Sequence, residues 1–206
     1  MSPTEKEIDA LIAGCGHKTA TQVQTVKETG MRIGEVLSLT WQSLNAEART
    51  LTLNKPEKNS LPRIFKISPK LIVMLQSMPK KSDRIFGQVH SKTPIISLAR
   101  QRRKIAKKLA NPRIAKIHFH LIRHWVGTME YHKTHDLVHV QRLLGHRSIL
   151  NTMMYINLEQ AIFEASDEYI VKRPKTAQEE DKLIGVGFEY VRFDSKENTP
   201  VYRKRK

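Results

Sequence analysis

The chain has 206 residues, 39% of them hydrophobic, enough for one packed domain with a small appendage and too many for a wholly disordered polymer. Its 36 Lys and Arg against 20 Asp and Glu leave a formal charge of +16, which calls for a polyanionic partner; nucleic acid is the commonest, though ribosomal proteins and membrane-surface binders share the signature. A single cysteine, Cys15, excludes a disulfide framework and a Cys-based zinc site. The polar N-terminus and the lack of an apolar run near the roughly 18 residues of a membrane span point to a cytoplasmic protein with no membrane contact.

Helices dominate the expected elements. Thr4-Glu5-Lys6-Glu7 has the form of a capping box ahead of Ile8, Leu11 and Ile12 on one helical face. A second helix is expected over residues 19 to 29, with Ala20, Val23 and Val26 inward, ending at Gly30. A third follows with Ile33, Val36, Leu37 and Leu39. The period then changes: Leu51 and Leu53, and Phe65 and Ile67, alternate with polar residues on either side of a polar stretch from Asn54 to Ser60, which reads as an antiparallel hairpin with a long loop.

Helical periodicity returns at Leu71, Ile72 and Leu75 and continues through Leu98, Ile105 and Leu109, with Ile105 and Leu109 expected to face the core. Further helices are expected at about 120 to 131, 136 to 144 and 148 to 170. After Pro174 come a short helix at 175 to 184, a strand from Gly187 to Phe193 and a possible partner strand from Val201 to Lys206. The fold class is therefore mainly α with a small antiparallel β-sheet (α+β).

Charge is unevenly placed. No acid occurs between Asp83 and Glu130, while Arg100, Arg102, Arg103, Lys104, Lys107, Lys108, Arg113 and Lys116 crowd that interval. A solvated helix face accounts for such a run, but cations without counter-charges repel one another. Arg100, Arg103, Lys104, Lys107, Lys108, Arg113 and Lys116 are therefore candidates for phosphate contact.

Two metal routes fit the residues poorly. A two-metal nuclease needs converging carboxylates, and the acids here are scattered, Glu179-Glu180-Asp181 pointing different ways around a helix. His120 and His124 have zincin spacing, yet Leu121 stands where a zincin carries its glutamate base. His132, His135 and His139 are joined by no carboxylate beyond Asp136. Metal-free phosphoryl transfer instead needs a nucleophile, guanidinium groups for the non-bridging oxygens and an acid for the leaving oxygen, and no cofactor is expected.

Thr29-Gly30-Met31-Arg32-Ile33-Gly34-Glu35-Val36-Leu37-Ser38-Leu39 resembles the first box of the tyrosine recombinase (phage integrase) family. His120-Leu121-Ile122-Arg123-His124 resembles its His-x-x-Arg box, and Leu143-Leu144-Gly145-His146-Arg147-Ser148-Ile149 its Leu-Gly-His box. Tyr155 follows His146 at the family's usual distance. The resemblance covers residues 4 to 170, and the tail past 175 looks archaeal-type. It implies a catalytic domain that cuts and rejoins DNA through a 3′-phosphotyrosine on Tyr155. Arg32 and Arg123 would clamp the phosphate, His120 would help remove the Tyr155 proton, and His146 would donate to a non-bridging oxygen.

The acid implied by the resemblance is a hairpin lysine: Lys58, five residues before Arg63, with Lys55 on the same loop as the alternative. Each residue also has a plainer role available: Arg32 could pair with Glu35, His120 could be a satisfied core histidine and Tyr155 could pack like Tyr131 or Tyr169.

Two departures stand out. Ile122 replaces the usual leucine, and the second helix, with Gln22, Gln24, Thr25 and Lys27, is more polar than its family counterpart, as if covered by another domain or part of a variant surface. Expected organisation is a catalytic domain at 1–172 and a helix plus possible β-hairpin tail at 173–206. The expectation is that the family's N-terminal core-binding domain is absent here, with a separate chain as its alternative source. The expected partner is double-stranded DNA, bound as a homotetramer at synapsis with residues 157 to 206 as candidate protomer contacts. A type IB topoisomerase and a non-catalytic DNA-binding relic of an integrase are the alternatives.

Overall fold

Thr4 opens the first helix as the sequence requires: its hydroxyl accepts from the Glu7 amide at 3.2 Å, and the Glu7 carboxylate accepts from the Thr4 amide at 2.8 Å. The computed structural model describes residues 2–57, 60–90, 92–163, 169–194, 197 and 199–205. Helix α1 (Glu5–Gly14) buries Ile8, Leu11 and Ile12. Glu7 also holds Arg113, 2.6 Å away, from across the fold. Burial works to raise this carboxyl, but hydrogen bonds from Arg113, Thr4 and Asn111 outweigh it and hold the pKa at about 2.

Helix α2 (His17–Thr29) is polar and yet central, packed against α1 and four later helices. Thr21, Gln22, Gln24 and Thr25 are buried, covered by the chain itself rather than left as a surface or reserved for another domain. The physical reason is a ladder of side-chain bonds that satisfies the hydroxyls within the helix. Thr21 donates to the His17 carbonyl at 2.9 Å, Thr25 to Thr21 at 2.8 Å and Thr29 to Thr25 at 2.6 Å. Lys27, which pairs with Glu5 and Asp9 at 2.9 and 2.6 Å, ties α2 to α1.

After the short α3 (Ile33–Ser38) the chain forms an antiparallel sheet in the order β1 (Leu44–Asn45), β2 (Thr50–Leu53), β3 (Arg63–Lys66). Its register pairs Leu51 with Phe65 and Leu53 with Arg63, so the arginine occupies an inward position beside the core. Helices α4 (Pro69–Gln76) and α5 (Lys92–Lys108) follow. Leu98 and Ile105 of α5 are buried, but Leu109 is 49% exposed, contrary to the inward position expected for it. It lies beyond the last turn of α5, where Ala110 turns the chain with a φ of 49° and helical spacing no longer sets direction.

Helices α6 (Phe119–Thr134), α7 (Leu137–Leu144) and α8 (Leu150–Phe163) carry the boxes noted in the sequence. The helix expected to reach residue 170 ends earlier, and Tyr169 begins a strand. Compact packing divides the chain into two units, Met1–Asn157 and Leu158–Lys206, a division ahead of the 172/173 boundary expected from composition. The second unit holds β4 (Tyr169–Lys172), α9 (Ala177–Gly185), β5 (Glu189–Asp194) and β6 (Thr199–Arg205), with β6 central in an antiparallel sheet of order β4-β6-β5. Val201 and Tyr202 are buried, while Ile184, Val186, Tyr190 and Phe193 are exposed. Among the described residues, no helix is long and apolar enough to cross a membrane.

Candidate active site

The ends of α2, α3, α6 and α7, the start of β3 and the body of α8 bring Arg32, Arg63, Arg123, His146 and Tyr155 to one place. Arg32 is the N-cap of α3, and its amide donates to the Glu35 carboxylate at 2.9 Å. Glu35 is fully buried and pairs with both Arg32, at 3.1 Å, and Arg63, at 2.7 Å. A buried carboxylate between two guanidinium groups offsets part of their mutual repulsion and fixes both. Burial lowers the Arg63 pKa, and Glu35 counters it.

Arg123 is 2% exposed and takes two carbonyls that end helices: Gly30 at 2.5 Å and Leu144 at 2.7 Å. Burial first, then the charge of Arg32, brings its pKa down to about 10, so it remains a cation at neutral pH. Arg63 donates to the Leu143 carbonyl at 3.2 Å, and the Ser60 hydroxyl donates to the Gly145 carbonyl. These bonds stitch the hairpin to the Leu-Gly-His box. Gly145 has a φ of +66°, and a Cβ there would lie 2.5 Å from the Ser60 hydroxyl oxygen and 2.7 Å from the Arg63 guanidinium carbon, so the position admits only glycine.

Tyr155 is 1% exposed. It fits because Gly127 on α6 has no side chain: a Cβ there would come within 2.6 Å of the phenol ring. The ring lies parallel to His146, with centroids 6.3 Å apart, and His146 is held by the Thr152 hydroxyl at 3.1 Å. The Tyr155 hydroxyl meets His124 Nδ1 at 3.3 Å, and the exposed His120 stands perpendicular to His124 with centroids 4.4 Å apart.

Burial is the largest influence on all three groups. It pushes His124 and His146 down to about 4, aided for His124 by His120 and Arg123 and for His146 by Arg123, Arg32 and Arg63. It raises the Tyr155 phenol, which Arg123 and Arg32 partly counter. The site is thus a cationic cup holding neutral imidazoles around a protonated tyrosine.

Four of the residues picked from sequence, Arg32, Arg123, His146 and Tyr155, meet here, with His120 at the rim beside His124. Lys58 lies outside the described residues, and Lys55 is exposed on the hairpin loop. Arg100, Arg103, Lys104, Lys107 and Lys108 share an exposed stripe of α5, and Lys116 is exposed nearby in sequence. Arg113 differs, being engaged by Glu7 and by the Ser2 carbonyl at 3.0 Å.

Sequence reasoning missed Glu35 and Arg63 as a buried pair, Gly127 as the space for Tyr155, and His124 as a tyrosine partner. The signals are present in the sequence: Glu35 follows Arg32 by three residues, and His124 closes the His-x-x-Arg segment one turn after His120.

The fold and site define a mainly helical domain in which a cationic cup surrounds a buried tyrosine. Residues 3–162 match the phage integrase family model, and the chain belongs to that family. It is 24% identical over 170 residues to tyrosine recombinase XerA of Saccharolobus solfataricus, covering 81% of this chain and 54% of that protein. It is 28% identical over 151 residues to tyrosine recombinase XerH of Helicobacter pylori, covering 69% of this chain and 41% of that one. The chain thus spans about half the length of these relatives.

Among solved structures, XerA recombinase superimposes with a TM-score of 0.64 at 21% identity, over 80% of this chain and 62% of that chain. The catalytic domain of bacteriophage HP1 integrase does so with a TM-score of 0.57 at 24% identity, over 78% of this chain and 92% of that one. The fold is therefore that of a tyrosine recombinase catalytic domain.

Proposed function

We propose that this chain cuts and rejoins double-stranded DNA in site-specific recombination, Tyr155 attacking the scissile phosphorus to form a 3′-phosphotyrosine and release a 5′-hydroxyl. The observation that carries this reading is the meeting of Tyr155 with Arg32, Arg123 and His146 in one cationic cup whose members come from distant parts of the chain. Arg32 and Arg123 hold the non-bridging oxygens, His146 donates to one of them, and His120 assists proton removal. Lys58, or Lys55 on the same loop, protonates the leaving oxygen. The phosphodiester energy is kept in the phosphotyrosine, so religation needs no nucleotide.

The exposed cations of α5 suit the flanking DNA backbone. Residues 1–172 act as the catalytic domain and 173–206 as an appended tail. Residues 157 to 206 contact a neighbouring protomer in a synaptic tetramer in the cytoplasm, and a separate core-binding domain completes the grip on DNA.

The test is covalent trapping. The chain, incubated with nicked duplex from the ends of its own genetic element, should give an SDS-resistant protein–DNA adduct that Tyr155→Phe abolishes while salt-sensitive DNA binding persists. An adduct that survives the substitution overturns the assignment of the nucleophile.

A further inference from the structure

The family resemblance puts proton removal on His120, yet the side chain that meets the Tyr155 hydroxyl at 3.3 Å is His124, through Nδ1. We infer that His124 is a catalytic residue, the base that accepts the Tyr155 proton. The inference rests on Tyr155 being the nucleophile. An imidazole can take that proton only when Nδ1 carries none, which requires the neutral ring with its hydrogen on Nε2. The surroundings favour the neutral ring: His124 is half-buried, Arg123 is the adjacent residue on the same helix, and His120 and His118 lie within two turns. From the other elements, Tyr155 of α8 faces it directly and His146 interacts with it across the site.

Cation repulsion also makes the base conditional on substrate. With no DNA bound, the positive charges leave His124 a weak base, and Tyr155 stays protonated and inert. A phosphodiester anion seated between Arg32 and Arg123 offsets those charges and strengthens the imidazole as a base at the moment the nucleophile is needed. The step balances as follows. The Oη proton of Tyr155 passes to His124 Nδ1, the phenol oxygen bonds to phosphorus, and the bond from phosphorus to the 5′-oxygen breaks. That oxygen takes its proton from the hairpin lysine. Religation runs the same transfers backwards: the 5′-oxygen gives its proton to the lysine, and His124 returns its own to the phenol. His120, exposed and perpendicular to His124, then has a positioning role, fixing the plane of the neighbouring ring.

The experiment measures single-turnover adduct formation by the full chain on nicked duplex, for wild type, His124→Ala and His124→Gln, from pH 6 to 10. Each runs with an ordinary 5′-oxygen and with a 5′-bridging sulfur. Sulfur leaves without a proton, so it rescues loss of an acid and leaves loss of a base untouched. His124→Gln retains a polar side chain of similar reach and keeps the test open if the alanine variant fails to fold. Both variants should be slower by about 100-fold or more at pH 7. The deficit should persist with sulfur and narrow steadily as pH rises to 10, because a growing fraction of the phenol ionises without a base even though burial holds its pKa above the free value.

A rate within threefold of wild type overturns the assignment. So does a deficit erased by sulfur, which marks an acid, or one constant across pH, which marks a purely structural role. Failure of the underlying reading looks different: wild type itself gives no adduct, or Tyr155→Phe still gives one, and His124 falls with it.

Discussion

The two units of this chain differ most in charge. Residues 1–157 carry 26 Lys and Arg against 10 Asp and Glu together with all nine histidines, whereas residues 158–206 carry ten against ten and no histidine. The entire excess of +16 therefore sits on the unit that matches the integrase family, and the second unit is electrically balanced with several apolar side chains in solvent. Net charge steers a surface towards or away from DNA, while exposed apolar area favours protein contact. The contrast places the surface suited to the proposed DNA on one unit and leaves the other suited to a different kind of partner.

The sharpest way to break that contrast is to remove the one buried acid that balances the cationic site. Glu35→Ala leaves Arg32 and Arg63 without their shared counter-ion, and urea unfolding should show a loss of about 3–5 kcal/mol confined to the first unit. Tyr190 and Tyr202 signals from the second unit should keep their own transition; a single shared one would mean that the units fold together.

Acid should come next. His124 and His146 are held near 4 in the fold against about 6.5 in the unfolded chain, so below 6.5 the unfolded state takes up protons that the folded state refuses. Stability is full above that pH and falls as pH drops towards 4, by roughly 2–3 kcal/mol between pH 7 and 5. The second unit has no histidine and should show no matching loss. A flat profile in the first unit would place water, or a closer anion, around those rings.

The smallest expected effect compares surfaces. Arg103→Glu with Lys107→Glu on α5 should reduce the salt dependence of DNA binding by about two phosphate contacts, while Phe193→Lys on β5 should leave it unchanged. Both should alter stability by no more than about 0.5 kcal/mol. A change in DNA affinity from Phe193→Lys would bring the second unit into the DNA interface.

Local pattern made most of the helices readable. Thr4 and Glu7 announce α1, the Leu51/Leu53 and Phe65/Ile67 alternation announces the hairpin, and four ordered boxes announce the site. What stayed hidden depended on partners distant in sequence. β4 becomes a strand because β6, some thirty residues on, pairs with it, and no local period marks Tyr169–Lys172 as extended. α2 reads as a variant surface or a helix covered by another domain because hydroxyl groups count as polar until their acceptors are known. Thr21, Thr25 and Thr29 find that acceptor one turn back, and Thr19 pairs with Ser97 and Gln101 of α5. Arg63 served only to place a lysine by counting, since nothing in a run of ten residues says that an arginine in a strand will turn inward to meet Glu35.

Arg123 closes two helices with one side chain. The carbonyls of Gly30 and Leu144, which α2 and α7 leave unsatisfied at their C-terminal ends, are both claimed by its guanidinium. Its rotamer is fixed by the fold itself, so the phosphate capture proposed for it would cost little side-chain freedom at that position. The same arrangement exposes the fold to its own chemistry. A substitution at Arg123 uncaps two helices at once, and any loss of cleavage must be read against a loss of structure, whereas Tyr155 and His124 report on the reaction with less of that burden.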